Sequence, residues 1–384
     1  MDKNVPQGVK LGSKDKHKEA AVDLVRSAMK SGVIDSALLP MEVPSGDSYA
    51  WMLIKDEAFL AKAEPFAPTM PVNAANAVKR LTRKGTGKYK TAVLIRPCEV
   101  RAAVELVKLN QAHLDDLLLI TYDCVGAVPT DDYIKDPAGK NKAFKTALVS
   151  GNFNSGIMKE VCSFCTDFSR TSSDLHLSLT DDGIFLSSNN VKGDDFLKNM
   201  KLEAKADLSK WYEKIESISS VRKNKKVQIF EKIKKDVDGL INFHKIFENC
   251  IGCHSCGSVC PICYCRQCFF DSTVNEQNSD LKFIRARQKG VLSFPPDKLM
   301  FHIGRLSHMS LSCVSCGLCS DACPVDIPVA SVFSYVADQT QSAFDYKSGN
   351  SVGDALPMRD YKLEELGELG ELSKSVDRQE GADA

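Results

Sequence analysis

The apolar positions of this chain recur with two periods, and the change from one to the other marks out its elements. Residues 15–31 carry Ala21, Val22, Val25, Ala28 and Met29 on one helical face, with Gly32 as a stop. Residues 37–39 and 50–54 are short apolar runs that read as strands, and Pro44-Ser-Gly-Asp between them is a turn signal. Residues 65–73 form a proline-punctuated loop whose last residue, Asn73, is placed to cap a helix reaching residue 84. A βαβ pattern comes next: a buried strand at 91–96, a helix at 99–110 with Val100, Ala103, Val104 and Val107 on one face, and a strand at 117–121. Residues 131–156 read as a lysine-rich loop punctuated by glycine, and 174–179 with 183–186 as a hairpin. From 195 to 243 the pattern is helical and charged. Trp211, Ile215 and Ile218 share one face, Ile229, Ile233, Val237, Leu240 and Ile241 another, with a solvated joint expected at 223–226. Two further helices are expected at 281–289 and 297–311, the second started by Pro295-Pro296, and Val329, Val332, Phe333 and Val336 make a last amphipathic face. The implied architecture is an α/β N-terminal domain with a partly parallel sheet, then a mostly helical C-terminal domain, with the boundary within 205–240.

Composition changes this picture little until the cysteines are placed. The 384 residues are 43% hydrophobic and 26% charged, with 50 basic and 50 acidic side chains, so no net charge directs the chain to nucleic acid or to an anionic membrane surface. The N-terminus lacks the apolar stretch of a secretory signal, and no run of about eighteen apolar residues suits a membrane-inserted helix. Fifteen cysteines in a chain long enough to bury a core without staples point to thiols used as ligands in a reducing, cytoplasmic compartment.

Cys250, Cys253, Cys256 and Cys260-Pro261 repeat as Cys313, Cys316, Cys319 and Cys323-Pro324. C-x2-C-x2-C-x3-C-P is the ligand run of two-cluster ferredoxins, in which the fourth cysteine reaches the other cluster. The repeat predicts two [4Fe–4S] clusters, one on Cys250, Cys253, Cys256 and Cys323, the other on Cys313, Cys316, Cys319 and Cys260. Structural zinc, the alternative, uses paired C-x2-C knuckles and has no need of the third cysteine or the closing proline. Further upstream, Cys98 at a strand-to-helix turn and Cys124 past the next strand are expected at the carboxyl edge of the sheet, where open α/β folds take their ligands. A helix N-terminus there would lower the Cys98 pKa. With Cys162 and Cys165 they make four thiols, enough for a third cubane, for a zinc ion, or for two buried thiols plus a redox pair. Cys263, Cys265 and Cys268 remain, as an extra metal site, as substitute ligands or as plain thiols. Arg266, Arg285, Arg287 and Arg305 flank the runs and are expected on the surface, or as cations that raise cluster potentials. His254 and Ser255 sit among ligands without being ligands. His17, His176 and His244 are scattered, and no general acid–base pair stands out.

Arg96-Pro-Cys-Glu-Val-Arg-Ala, Asp123-Cys and Cys162-Ser-Phe-Cys-Thr-Asp resemble the beta subunit family of coenzyme F420 hydrogenase and dehydrogenase. Cys260-Pro-Ile-Cys-Tyr-Cys, Phe301-His-Ile-Gly-Arg-Leu-Ser-His-Met and the second cysteine run resemble the beta subunits of F420-dependent formate dehydrogenases, in the same order over residues 1–345. The resemblance implies a domain at 1–205 that holds FAD and one [4Fe–4S] cluster, on Cys98, Cys124, Cys162 and Cys165, and exchanges a hydride with coenzyme F420. It implies a two-cluster domain at 241–345, joined by a helical linker at 206–240; beyond it the residues themselves read as a polar tail at 346–384 with an acidic helix at 363–372, mobile or a docking arm. Flavin contacts fall at Thr69, Asn73 and Arg96. The catalytic partner would be a molybdopterin formate dehydrogenase alpha subunit, a hydrogenase or a heterodisulfide-reductase-like protein. The family's N-terminal Gly-Gly-x-Ser/Thr stretch is replaced by Gly12-Ser-Lys-Asp, and its Gly-Ser-containing loop by Pro68-Thr-Met-Pro. NAD(P) in place of F420 therefore stays open, as does a flavin-free iron–sulfur relay joining larger redox enzymes.

Overall fold

The computed structural model describes residues 7–169, 172–265, 267–272, 278–294 and 298–359. Arg266, Pro295-Pro296 and the helix expected at 363–372 lie outside the described residues. The chain opens with β1 (Gln7–Gly12), α1 (His17–Lys30), β2 (Ser36–Glu42) and β3 (Tyr49–Ile54). Next come α2 (Ala74–Thr82), β4 (Thr91–Leu94), α3 (Pro97–Lys108), β5 (Leu117–Tyr122), α4 (Thr130–Lys135), α5 (Pro137–Ser150) and α6 (Glu160–Ser163). The sheet is completed by β6 (Leu175–Thr180), β7 (Gly183–Ser188) and, beyond α7 (Val191–Asn199), by β8 (Ala206–Asp207). The eight strands lie in the order β3-β2-β4-β5-β6-β7-β1-β8. β2, β4, β5 and β6 run parallel, and β3, β7 and β1 pair antiparallel outside them. Every residue of β4 and β5 is buried, which is why both read as unbroken apolar runs and do not alternate.

The C-terminal region is built from α8 (Ser209–Asp236), α9 (Gly239–Ile246), α10 (Ser255–Ser258), α11 (Ser279–Lys289), α12 (Lys298–Met309), α13 (Leu318–Asp321) and α14 (Val329–Ala343). One face of the sheet is covered by α1, Phe66, Phe144 and Trp211. The other is covered by α2 and α3, and that core runs on into Phe247, Phe301, Val332 and Phe333. The C-terminal region is thus docked against the α3 side of the sheet. α8 joins the two faces: Trp211 packs in the first core and Phe230 and Ile233 in the second.

Three local expectations are corrected. Residues 131–156 hold α4 and α5 where a loop was expected. Asp136 accepts from the Gly139 N–H at 2.9 Å to cap α5, Pro137 starts it, and Phe144, Ala147 and Leu148 bury its inner face. The lysines that suggested a loop occupy the outer face. No joint interrupts α8 at 223–226, because the segment has neither glycine nor proline and its lysines are good helix formers. Finally, the polar tail begins as a packed strap. Ser348 is fully buried, and Tyr346 donates to Glu105 Oε1 while accepting from Lys108 Nζ, each at 2.6 Å. Among the described residues no helix is long and apolar enough to cross a membrane.

Candidate metal centres

β4 and β5 deliver the first site. β4 ends at Leu94, Arg96 caps α3, and Pro97 at its first turn leads into Cys98. β5 ends at Tyr122, and the carboxylate of Asp123 fixes the loop beyond it. Its Oδ1 accepts from Ser169 Oγ at 2.6 Å and pairs with His176 Nε2 at 3.0 Å. Its Oδ2 accepts from Trp211 Nε1 at 2.6 Å and from the Leu179 N–H at 2.8 Å. This filled carboxylate holds the loop so that the Cys124 N–H donates to Phe168 O at 2.7 Å. α6 and the turn after it bring Cys162 and Cys165. Cys98, Cys124, Cys162 and Cys165, drawn from three separate segments, line one cavity of about 50 Å³.

Burial pushes the Cys98 thiol well above its usual range, with Glu99 and Cys316 adding to it. Loss of hydration thus works against the lowering expected at a helix N-terminus. Burial likewise pushes Cys124 up to about 12 and Cys165 to about 11. Such thiols release protons when a metal binds. Arg96 and Arg222 line the same cavity, and the Nε of each is buried without a protein acceptor. Four half-buried cysteines faced by two cations with unspent donors fit an anionic iron–sulfur cluster.

The two ferredoxin runs repeat in geometry as well as in sequence. Gly252 (φ 66°) and Ser315 (φ 56°) stand at the same place in each run, as do His254 (φ 56°) and Gly317 (φ 83°). These left-handed residues turn the backbone so that successive cysteines face inward. Cys260 comes to a cavity of about 30 Å³ that is also lined by Cys313, Cys316 and Cys319. Cys256 lies within electrostatic range of Cys250, Cys323 and Cys253. Donors point at these sulfurs: Ile327 N–H to Cys323 Sγ at 3.4 Å, Gly252 N–H to Cys250 Sγ at 3.5 Å, and Arg305 Nη1 to Cys256 Sγ at 3.1 Å. His302 Nε2 is 3.4 Å from Cys250 Sγ, and burial together with Arg305 holds that imidazole down to about 3, hence neutral. Among the described residues no three His, Cys, Asp or Glu side chains close on a single ion. A cubane is held differently, each thiolate at its own iron.

Cys316 belongs to both cavities: it lines the sheet-edge site as well as the Cys260 site. The contact between regions is tight there. A Cβ added at Gly317 would stand 2.5 Å from Val161 Cγ2. Asp321, between Cys319 and Cys323, takes Lys159 Nζ at 2.8 Å, Thr130 Oγ1 at 2.6 Å and the Thr130 N–H at 2.8 Å. Arg101 pairs with Asp167 at 2.9 Å and donates to Val314 O at 3.4 Å and Ser348 O at 3.0 Å. Arg101 and Asp321 stand inside the cysteine motifs, Arg222 heads a basic run and Lys159 adjoins Glu160, and none of these settings signals the partner that each one takes.

The remaining expected residues fall elsewhere. Cys263 is half-buried beside Cys260 and Arg305, Cys265 is exposed, and Cys268 is half-buried ahead of a short turn at Phe269–Asp271. Arg287 is exposed, but Arg305 is buried, because α12 turns it inward between Phe301 and Phe333. Thr69 is buried against Thr130, Asn73 caps α2, and Arg96 donates to Ala67 O at 2.6 Å. Asn73 and Arg96 face the four-thiol cavity.

A model of the 4Fe-4S dicluster domain matches residues 246–327. The beta subunit of F420-dependent formate dehydrogenase from Methanocaldococcus jannaschii is 27% identical over 315 residues, 72% of this chain and 78% of the relative. The beta subunit of F420-dependent formate dehydrogenase 1 from Methanococcus maripaludis is 27% identical over 372 residues, 86% of this chain and 90% of the relative. Among solved structures, a chain of the xenon-derivatised F420-reducing [NiFe] hydrogenase complex from Methanosarcina barkeri aligns with TM-score 0.44 and 13% identity, over 62% of this chain and 94% of its own. The chain is a homologue of proteins named as beta subunits of F420-dependent formate dehydrogenase, and it carries a 4Fe-4S dicluster domain in its C-terminal half.

Proposed function

We propose that this chain is the iron–sulfur electron-transfer subunit of a cytoplasmic formate dehydrogenase-like or hydrogenase-like complex. It would serve a catalytic partner such as a molybdopterin subunit. The observation that carries the reading is a pair of thiol sites that share Cys316, with the other ferredoxin set reached across Arg305. Sites that share a wall suit one-electron transfer, the chemistry that [4Fe–4S] clusters supply when bound. The protein's part is to hold Cys98, Cys124, Cys162 and Cys165 at the sheet edge and the two crossed sets beyond. Arg96, Arg222 and Arg305 supply buried positive charge, and the docked helices exclude water. The exposed Cys253 marks the end of this arrangement most open to a partner.

The finer reading adds a two-electron carrier. The names of the relatives support coenzyme F420, with NAD(P) the other candidate, and a flavin would be the group that turns a hydride into single electrons. The altered loops, Gly12-Ser-Lys-Asp and Pro68-Thr-Met-Pro, favour the second reading, a flavin-free relay. Anaerobically purified protein, incubated with FAD and desalted, separates the two. Retained flavin and cluster bleaching by F420H2 or NADPH support the carrier reading. Flavin-free protein that is bleached only by dithionite or a reduced protein partner supports the relay. Protein without iron after anaerobic reconstitution would remove the proposal as a whole.

A further inference from the structure

Arg305 lies on α12 with 3% of its surface exposed. Its Nη1 donates to Cys256 Sγ at 3.1 Å and its Nη2 to Cys256 O at 3.0 Å, while its Nε is buried without a protein acceptor. Phe333 and Phe301 clamp the guanidinium plane, with ring centroids 4.7 and 5.5 Å away. The same side chain lines the cavity of Cys260, Cys313, Cys316 and Cys319. Among the described residues the anionic groups acting on it are thiols, those of Cys256, Cys260, Cys319 and Cys263. A buried cation is costly unless anions face it. Here the anions come from both cysteine sets, so the guanidinium stands between them.

We propose that Arg305 is a positioning residue shared by the two C-terminal clusters, raising both reduction potentials together. This rests on the reading that both cysteine sets hold [4Fe–4S]. Each cluster gains one electron on reduction, and with it one more negative charge. Arg305 keeps its proton, and no bond is made or broken. A cation fixed in a low-dielectric interior stabilises the more negative state and is not screened as a surface charge would be. The cluster bonded at Cys256 receives the larger effect, because it also accepts a charge-assisted hydrogen bond.

The test is a potentiometric titration of the full chain with dithionite, followed by electron paramagnetic resonance and accompanied by iron analysis. Wild-type protein comes first: if its C-terminal cysteines hold no cluster pair, the underlying reading fails and the role of Arg305 falls with it. With the pair present, Arg305→Gln is expected to keep its iron and lower both midpoint potentials. Each shift should reach at least a tenfold change in the reduction equilibrium, about 59 mV for one electron. Arg305→Lys, which keeps the charge and loses the fork, should fall between Gln and wild type. Exposed Arg287→Gln should shift neither potential. Unchanged potentials with iron retained overturn the proposal, as does a shift in one cluster alone. Loss of iron from both the Gln and Lys variants would assign Arg305 a merely structural part and likewise overturn it.

Discussion

The sheet-edge cysteines and the two C-terminal cysteine sets are brought together by opposite routes. Cys98, Cys124 and the Cys162–Cys165 pair meet because β4, β5 and α6 end at one edge of a sheet whose core exists without them. The C-terminal sets are assembled by two short runs; of the helices around them α9 and α11 bury no residue at all, and the core there comes mainly from α12 and α14. Metal at the first site should therefore be an addition to a fold, and metal at the second a part of it.

The sharpest way to break that contrast is to remove one thiol from each. Cys98→Ala should lose about four of about twelve irons per chain and leave amide exchange in the sheet unchanged. Cys256→Ala should lose about four or more irons and expose the amides of residues 247–327 to exchange. Equal exchange behaviour in the two variants would end the distinction. Next in size, Asp123→Ala should destabilise the N-terminal region by about 3–5 kcal/mol, because it strips the partner from buried His176 and Trp211. Denaturant unfolding followed at Trp211 measures it. Asp321→Ala should cost about 3 kcal/mol at the contact between regions, with a coupling to Lys159→Ala of about 0.5–3 kcal/mol in a double-mutant cycle. Additive effects would mean that the pair at 2.8 Å does not tie the regions together. Tyr346→Phe should cost the least, about 1.5 kcal/mol, by removing a hydroxyl held between Glu105 and Lys108. An unchanged melting temperature would reduce the strap to a surface contact.

The same contrast governs how much is legible in the residues alone. The C-terminal ligand sets are local patterns, and spacing by itself groups Cys260 with Cys313. Cys98 and Cys124 can be placed at the sheet edge because the βαβ period is strong, but their meeting with Cys162 and Cys165 depends on strand order, which no window of sequence contains. Arg305 shows the limit most clearly. The helix that carries it is legible, but its buried face is Phe301, His302, Arg305, Leu306 and Met309, with Ile303 exposed, and the inward turn of the arginine is set by Phe333, a residue on another helix. Residues 131–156 hide their helices for a similar reason: lysines on the outer face of α5 obscure the Phe144–Leu148 stripe within.

The strap at 346–359 has a consequence for how the molecule is made. Ser348, which closes over Arg101, lies 247 positions after it. On the ribosome, α3 is therefore finished long before the residues that cover it exist. For most of synthesis the helix that carries Cys98 stands bare along the flank of Arg101, Glu105 and Lys108. That flank of α3 is covered only once residues 346–359 have left the tunnel.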